Sequence, residues 1–274
     1  VKELMEKHVG DFVHRPSGLS RTGWLACLAR SVSAILFPPR CLLCSSPLDE
    51  TGGRFCTGCN NRVVKDCTES ACPTCASTVA PHSIIDGRCP RCRGRRLPVT
   101  RVVRVGAYGP GLGTLIAKYK YAGGDQSIGN VLGQWLADAV EHAPLVAQPE
   151  AIVPVPTTRW RRIRRSIHVP TEVAVIVSRR LGVPVMPVLR RIRGGPRQIG
   201  LTYPQRIENV RGAFAMSRGF VTLRGARLLL VDDVATSGAT IMECARVLRR
   251  GGADTVSIAI IARARRSTEA RPAL

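Results

Sequence analysis

The stretch RLLLVDDVATSGATIMECARVLRRGG, Arg227 to Gly252, decides how this chain is read. Leu228 to Val231 is a short unbroken apolar run, the pattern of a parallel strand covered on both faces. Ile241, Cys244, Ala245 and Leu248 then recur at helical spacing, and Gly251-Gly252 supplies a stop signal. ADTVSIAIIA, Ala253 to Ala262, reads as the next strand. Two acids, Asp232 and Asp233, and a turn of small hydroxylated residues therefore fall at the carboxyl end of a strand in a βαβ unit. Open α/β sheets bind their ligands there.

Working outward, RVVRVGAYG reads as a strand and LGTLIAKYKYAGG as a helix closing at Gly123-Gly124. Ile128, Leu132, Trp135, Leu136 and Val140 mark a second helical face. AIVPVP, Ala151 to Pro156, is a short buried strand stopped by proline, and PTEVAVIVSRRLG is a helix with Pro170 near its start and Gly182 at its end. VPVMPVLRR reads as a further, irregular strand, followed by the long polar segment IRGGPRQIGLTYPQRIENVRGAF. Strands alternating with helices indicate an α/β fold with a mostly parallel sheet flanked by helices. The strand ending at Pro156 delivers TTRWRRIRRS, with Arg159, Arg161, Arg162, Arg164 and Arg165. If it neighbours the strand ending at Val231, both loops open on one rim.

Upstream lie four Cys-x-x-Cys pairs: Cys41 and Cys44, Cys56 and Cys59, Cys72 and Cys75, Cys89 and Cys92. Each such turn points two thiolates at one centre, and two turns complete a tetrahedral Zn²⁺ site. Four pairs make two structural Zn²⁺ sites in a segment too small and polar to build its own core. Sequential and interleaved pairing of the motifs are both open at this level. A disulfide framework needs an oxidising compartment, for which no export signal speaks, and a redox motif explains one pair rather than four. With sulfur in all four positions, neither zinc retains a site for catalytic water. Cys67 is left over as a spare; Cys27 and Cys244 lie on apolar helical faces, as small buried hydrophobes do.

The 274 residues are 45% hydrophobic, which argues against wholesale disorder and allows a large domain beside a smaller one. The formal charge of +22 is uneven: residues 1–100 carry +6 and residues 101–274 carry +16. The later region should attract polyanions, whether phosphorylated metabolites or nucleic acid. Trp24 to Phe37 is apolar but interrupted by Arg30, too short to span a bilayer comfortably, and lacks a convincing cleavage site. It is expected to dock on the body as a helix, giving a cytoplasmic protein without membrane insertion.

Residues Ala235, Thr236, Ser237, Gly238, Ala239 and Thr240 let the backbone approach a ligand, and their N–H groups at a helix N-terminus suit a phosphate monoester. Asp232 and Asp233 would repel a phosphate at contact distance, so their partners are hydroxyls or a metal. A sugar phosphate meets both demands. LLLVDD is also the form of a Walker B strand, but the chain has no G-x-x-x-x-G-K-[ST]. Helix capping accounts for one acid at most.

VDDVATSGAT resembles the PRPP-binding motif of type I phosphoribosyltransferases. More narrowly, LFPPRCLLC, the paired Cys-x-x-Cys ribbons, IAKYKYAGG, IVPVP before an arginine cluster, RQIGLTYPQRIENVRGAF and LLLVDDVATSGAT occur in the order of the ComF (GntX-like) family. The resemblance covers about residues 35 to 262. It implies an extension over 1–38, a double zinc ribbon over 39–96, a phosphoribosyltransferase-like domain over 97–265 and a tail over 266–274. Asp232 and Asp233 would hold the ribose 2′- and 3′-hydroxyls as catalytic acids, and Val234 to Thr240 the 5′-phosphate. The loop after Pro156, from Thr157 through the arginines, would meet the pyrophosphate with Mg²⁺, and Gln198, Arg206 and Asn209 would lie in a lid. Arg165 and Ser166 stand where the family carries a glycine. The resemblance also implies a link to DNA uptake or nucleotide salvage, and a helicase-like partner. A non-catalytic alternative binds single-stranded DNA through the ribbons and basic face, with Trp160 as a stacking residue and the PRPP pocket as a sensor or relic.

Overall fold

Runs such as LLLV and IAII have no polar face to offer solvent, and they lie at the centre of a four-stranded sheet. The computed structural model describes residues 39–48, 53–121, 123–157, 167–193, 203–219 and 222–265. Among them the elements run α1 (Thr57–Cys67), β1 (Arg101–Tyr108), α2 (Leu112–Tyr121), α3 (Gln126–Glu141), β2 (Ala151–Pro154), α4 (Val169–Leu181), β3 (Leu189–Arg191), α5 (Tyr203–Val210), β4 (Phe214–Met216), β5 (Arg227–Ala235), α6 (Ala239–Arg250) and β6 (Thr255–Ala264). The sheet order is β1-β6-β5-β2 and every pairing is parallel. The expected apolar segment at Trp24 to Phe37 lies outside the described residues. Among those described, no helix is long and apolar enough to cross a membrane.

Because side chains alternate along a strand, β5 and β6 feed two cores. Ile152, Leu229, Val231, Ala259 and Ile261 pack with α2, α3 and α4; Val153, Leu228, Leu230, Ile258 and Ile260 pack with α6 and the β3–β4 pair. Cys244 is fully buried in the second core, as its helical position predicts. Gly182 ends α4 in the left-handed conformation at φ +68°.

The strand expected from VPVMPVLRR divides. Only Val185 bridges the sheet, through the Ile152 N–H to the Pro184 carbonyl (2.9 Å) and the Met186 N–H to the Ile152 carbonyl (2.8 Å). Pro184 and Pro187 bring no N–H, so the ladder cannot continue. The chain then leaves the sheet, and β3 pairs antiparallel with β4, Leu189 opposite Met216 and Arg191 opposite Phe214. Part of the long polar segment forms α5, whose second residue is Pro204, a position that tolerates a missing N–H.

The cysteine-rich region is joined to the body at several points. Asp66, at the end of α1, is 1% exposed, and its Oδ2 accepts from the Gly111 N–H at 2.8 Å and the Leu112 N–H at 2.9 Å. It thus satisfies otherwise orphaned donors at the N-terminus of α2 and complements the helix dipole. The approach is close: a Cβ on Gly109 would lie 1.8 Å from Asp66 Oδ1, and one on Gly111 2.6 Å from the Val63 nitrogen. Farther along, Arg104 of β1 donates to the Ala76 carbonyl (2.8 Å), Thr78 Oγ1 (3.0 Å) and the Glu69 carbonyl (3.0 Å). The Val102 N–H donates to the Pro73 carbonyl at 2.8 Å, on the side of β1 that faces away from β6.

Removing the Asp66 carboxylate strands two buried donors, each worth about 1–3 kcal/mol, and Gly109→Ala forces a comparable overpacking cost of about 1–3 kcal/mol. Both Asp66→Ala and Gly109→Ala should lower the thermal midpoint, by about 2–4 °C per kcal/mol in a domain of this size. Unchanged midpoints in both variants would mean that the cysteine-rich region docks independently of this contact.

Candidate functional site

The four Cys-x-x-Cys motifs form two clusters by sequential pairing: Cys41, Cys44, Cys56 and Cys59 in one, Cys72, Cys75, Cys89 and Cys92 in the other. Within each, all Sγ atoms lie within 4.8 Å of one another. Cys44 and Cys56 Sγ are 3.7 Å apart and Cys75 and Cys89 Sγ 3.8 Å apart. A tetrahedron with Zn–S bonds of about 2.3 Å has an edge of about 3.8 Å, whereas a disulfide is about 2.05 Å. Backbone N–H groups already face the sulfurs, from Cys56 to Cys41 Sγ and from Cys89 to Cys72 Sγ, both at 3.4 Å. Thiolates gathered so closely need a cation to coexist. Cys67, the spare, lies outside both clusters, with burial pushing its thiol up to about 12.

The second site is the carboxyl rim of the sheet. Strands β2 and β5 are neighbours, with Pro154 opposite Val231, and the Val155 N–H donates to the Val231 carbonyl at 2.9 Å. The loop after Pro156 and the turn after Ala235 therefore leave the same edge. Asp232 and Asp233 lie within β5, which runs past the end expected at Val231 and on to Ala235, with Asp232 opposite Ile260 and Ala235 opposite Arg263 of β6. The Asp233 N–H donates to Asp232 Oδ1 (2.9 Å) and the Val234 N–H to Asp233 Oδ1 (2.5 Å), so one oxygen of each acid is held by the strand itself. Although part of the Asp232 side chain still meets solvent, burial pushes its pKa up to about 8, with the Asp233 charge adding to the effect and Lys120 opposing it.

Beyond the acids, Gly238 turns the chain at φ +79° into α6. No side chain caps α6 from Gly238; the Ser237 hydroxyl accepts from the Ala239 N–H at 3.2 Å. Thr236 is exposed, Ser237 and Thr240 are half-buried, and Gly238 and Ala239 are buried. Small residues and helix N–H groups thus lie directly beside the acids, the arrangement expected for a phosphate cradle.

Two cations here were not singled out from the sequence. Lys120 Nζ is 2.8 Å from Asp233 Oδ2, reaching over from the last turn of α2. Its signal was its place four residues after the buried Ile116, on the flank of a core-facing helix. Arg263 is 4% exposed and donates from Nη2 to the Ser237 carbonyl at 3.3 Å, beneath the turn. A Cβ on Gly238 would come within 2.8 Å of Arg263 Nη1, a second reason for glycine there. Nothing local in the sequence marks Arg263, because it meets the turn only through the Ala235–Arg263 register of β5 and β6.

Thr157 is the one expected pyrophosphate-loop position among the described residues; Arg159, Arg161, Arg162, Arg164, Arg165 and Trp160 lie outside them, as does Gln198 of the expected lid. Arg206 and Asn209 lie on α5 and are half-buried. His168, which follows the arginine loop, stands at the N-cap of α4 with Nδ1 2.6 Å from Thr171 Oγ1.

Comparison with known proteins matches residues 32–94 to the double zinc ribbon domain and residues 171–273 to the phosphoribosyl transferase domain. Competence protein F of Haemophilus influenzae is 28% identical over 229 residues, 82% of this chain and 97% of that protein. DNA utilization protein YhgH of Escherichia coli O157:H7 is 30% identical over 225 residues, 81% of this chain and 95% of that protein. Among solved structures, a purine phosphoribosyltransferase from Pyrococcus horikoshii is similar at 20% identity and a TM-score of 0.31, over 49% of this chain and 72% of that one. That superposition is too loose to add to the sheet order described above. The two domain matches in this order, and a relative 30% identical across nearly its whole length, establish that the chain belongs to the ComF-like family.

Proposed function

We propose that the rim formed by β2 and β5 is a sugar-phosphate site that takes PRPP with Mg²⁺, and that the chain is a phosphoribosyltransferase-type protein serving DNA uptake or nucleotide salvage. One juxtaposition carries the reading: an acid pair near the end of β5, then, five residues after Asp233, a positive-φ glycine at the N-terminus of α6. A ligand that satisfies both must carry a diol and a phosphate. Asp232 and Asp233 would take the 2′- and 3′-hydroxyls, and Val234 to Thr240 the 5′-phosphate, with the Arg263 guanidinium beneath the turn adding positive potential. Thr157 and the arginines after it would face the pyrophosphate, their planar forks suited to phosphate oxygens. The donor set fits Mg²⁺: hard carboxylate oxygens at the rim, completed by ligand oxygens. When bound, the ion would supply charge to offset the leaving pyrophosphate. The chain's own share is to fix the ribose, orient C1 and stabilise the charge that develops as the bond to pyrophosphate breaks.

The two four-cysteine clusters are proposed to hold structural zinc, consistent with their sulfur spacing and the absence of an open ligand position. A second functional reading is supported by a cavity of about 420 Å³ between α5 and α6, lined by Arg211, Arg246 and Arg250 together with Glu243, which pairs with Arg246 at 2.8 Å. Together with the names of the two relatives, it favours contact with single-stranded DNA on this basic side.

Calorimetric titration of the zinc-loaded protein with PRPP and Mg²⁺ should give a single site. Affinity should drop by roughly tenfold or more in Asp232→Asn/Asp233→Asn, since the Asp233 carboxylate loses a charge-assisted hydrogen bond. If the wild type bound single-stranded DNA but not PRPP, the sugar-phosphate reading would be wrong and the basic cavity would become the functional surface.

Asp232 also gives a pH signature. It keeps its proton to about pH 8 in the fold, whereas an aspartate in an unfolded chain loses it near about pH 4. Between those values the unfolded state is the one that ionises, so this group's contribution to stability is lost as pH rises through the window. Asp232→Asn keeps the acceptor for the Asp233 N–H and removes the ionisation. In melts at about pH 5, 7 and 9, its advantage over wild type should therefore grow and then level off. Stripping metal with a strong chelator should unfold the ribbons and, through Asp66, lower the midpoint of the whole fold. An unchanged midpoint would argue against structural zinc.

A further inference from the structure

We propose that Lys120 is a partner-switching cation of the rim site: it holds Asp233 until a ribose diol claims that carboxylate, and then turns to the ligand's pyrophosphate. The inference rests on the sugar-phosphate reading above and adds a ligand-contacting residue to it.

The argument begins with the lone pairs of Asp233. Oδ1 accepts the Val234 N–H at 2.5 Å, an interaction built into the strand. Oδ2, the oxygen left for a ligand, lies 2.8 Å from the Lys120 ammonium. Both side chains are largely withdrawn from solvent, at 15% and 16% exposed, so the pair is far less screened than a surface ion pair. A sugar hydroxyl that takes Oδ2 competes with that ammonium for the same oxygen, and an ammonium drawn off it stays buried only beside another anion.

The backbone around Lys120 puts such an anion within reach. The rotation of α2 is fixed by the buried Leu112, Leu115, Ile116 and Tyr119. Lys118, two residues earlier, is thereby sent the other way, to Ser45 Oγ (3.2 Å) and the Leu42 carbonyl (3.4 Å) in the first cysteine cluster's loop. Helix α2 ends at Tyr121, one residue after Lys120, and the chain then passes Gly123 and Gly124, with φ +76° and +70°. Gly124 lies so close to Ile167 that a Cβ would fall 1.5 Å from Ile167 Cδ1. Ile167 is the first described residue after the arginine-rich loop. Lys120 therefore stands between the acids assigned to ribose and the point where the loop assigned to pyrophosphate rejoins the body. A four-carbon stem with a freely rotating ammonium can exchange one oxyanion for another across that gap.

The test compares two ligands that differ in the pyrophosphate. In titrations of wild type and Lys120→Gln, PRPP with Mg²⁺ should bind the variant roughly tenfold or more weakly, the loss of a charge-assisted contact. Ribose 5-phosphate should bind it as well as wild type or better, because the lysine no longer competes for Asp233. Lys120→Arg should recover part of the PRPP affinity. Equal losses for both ligands, or no loss for either, would overturn the switching role while leaving the site intact. Failure of both ligands to bind wild type would instead overturn the sugar-phosphate reading, and this proposal with it. Amine-selective labelling of the unmodified protein reads the same switch without a variant. Ribose 5-phosphate should speed acetylation of Lys120 and PRPP should slow it; equal protection by both would sink the idea.

Discussion

The Asp66 carboxylate lies inside the protein with one oxygen shared by the N–H groups of Gly111 and Leu112, and much of the architecture follows from that contact. It fixes where α2 begins, and the buried face of α2 fixes its rotation. That rotation sends Lys118 to the first cysteine cluster's loop and Lys120 to Asp233. A charged group buried this deeply costs several kcal/mol unless its acceptors are satisfied, so the contact tolerates little slack. The close approach of α1 depends on the glycines at 109 and 111, where any side chain would collide with it.

The rim obeys a different constraint. Parallel strands that share a register must release their following loops on the same edge, and the β2–β5 pairing does this with the two loops richest in polar groups. The cost is paid in electrostatics: burial at the rim end of the strand holds the Asp232 proton far above the ordinary range, and the neighbouring Asp233 charge adds to it. Lys120 and Arg263 supply compensating charge from opposite sides, one from a helix and one from the neighbouring strand.

Much of this was legible in the sequence because it is written locally. The apolar runs, the αL glycine after α4 and the Cys-x-x-Cys spacing are short-range signals, and each gave the right kind of element. The pairing of cysteine motifs and the adjacency of β2 and β5 are long-range facts that local patterns leave open; the structure pairs the motifs sequentially and makes the two strands neighbours. Where local reading failed, a specific competitor won. Two prolines cut short the strand expected at Val183 to Arg191, and an N-terminal proline turned part of a polar stretch into α5. Lys120, Arg263 and Asp66 were missed for one reason: each acts on a group far away in the chain, and at most the flank position of Lys120 on its helix hints at a role.

The treatment of the sheet's borders has a consequence for how the molecule behaves in a crowd. On the β2 side the ladder is extended only by a one-residue bridge at Val185, cut short by Pro184 and Pro187. On the β1 side the closure is the Pro73 carbonyl, which belongs to the second cysteine-rich loop. An unpaired β1 would be an eight-residue template for joining another chain. The cysteine clusters therefore guard solubility as well as shape: a molecule that loses order around Cys72 to Cys92 exposes a strand able to recruit its own copies into aggregates.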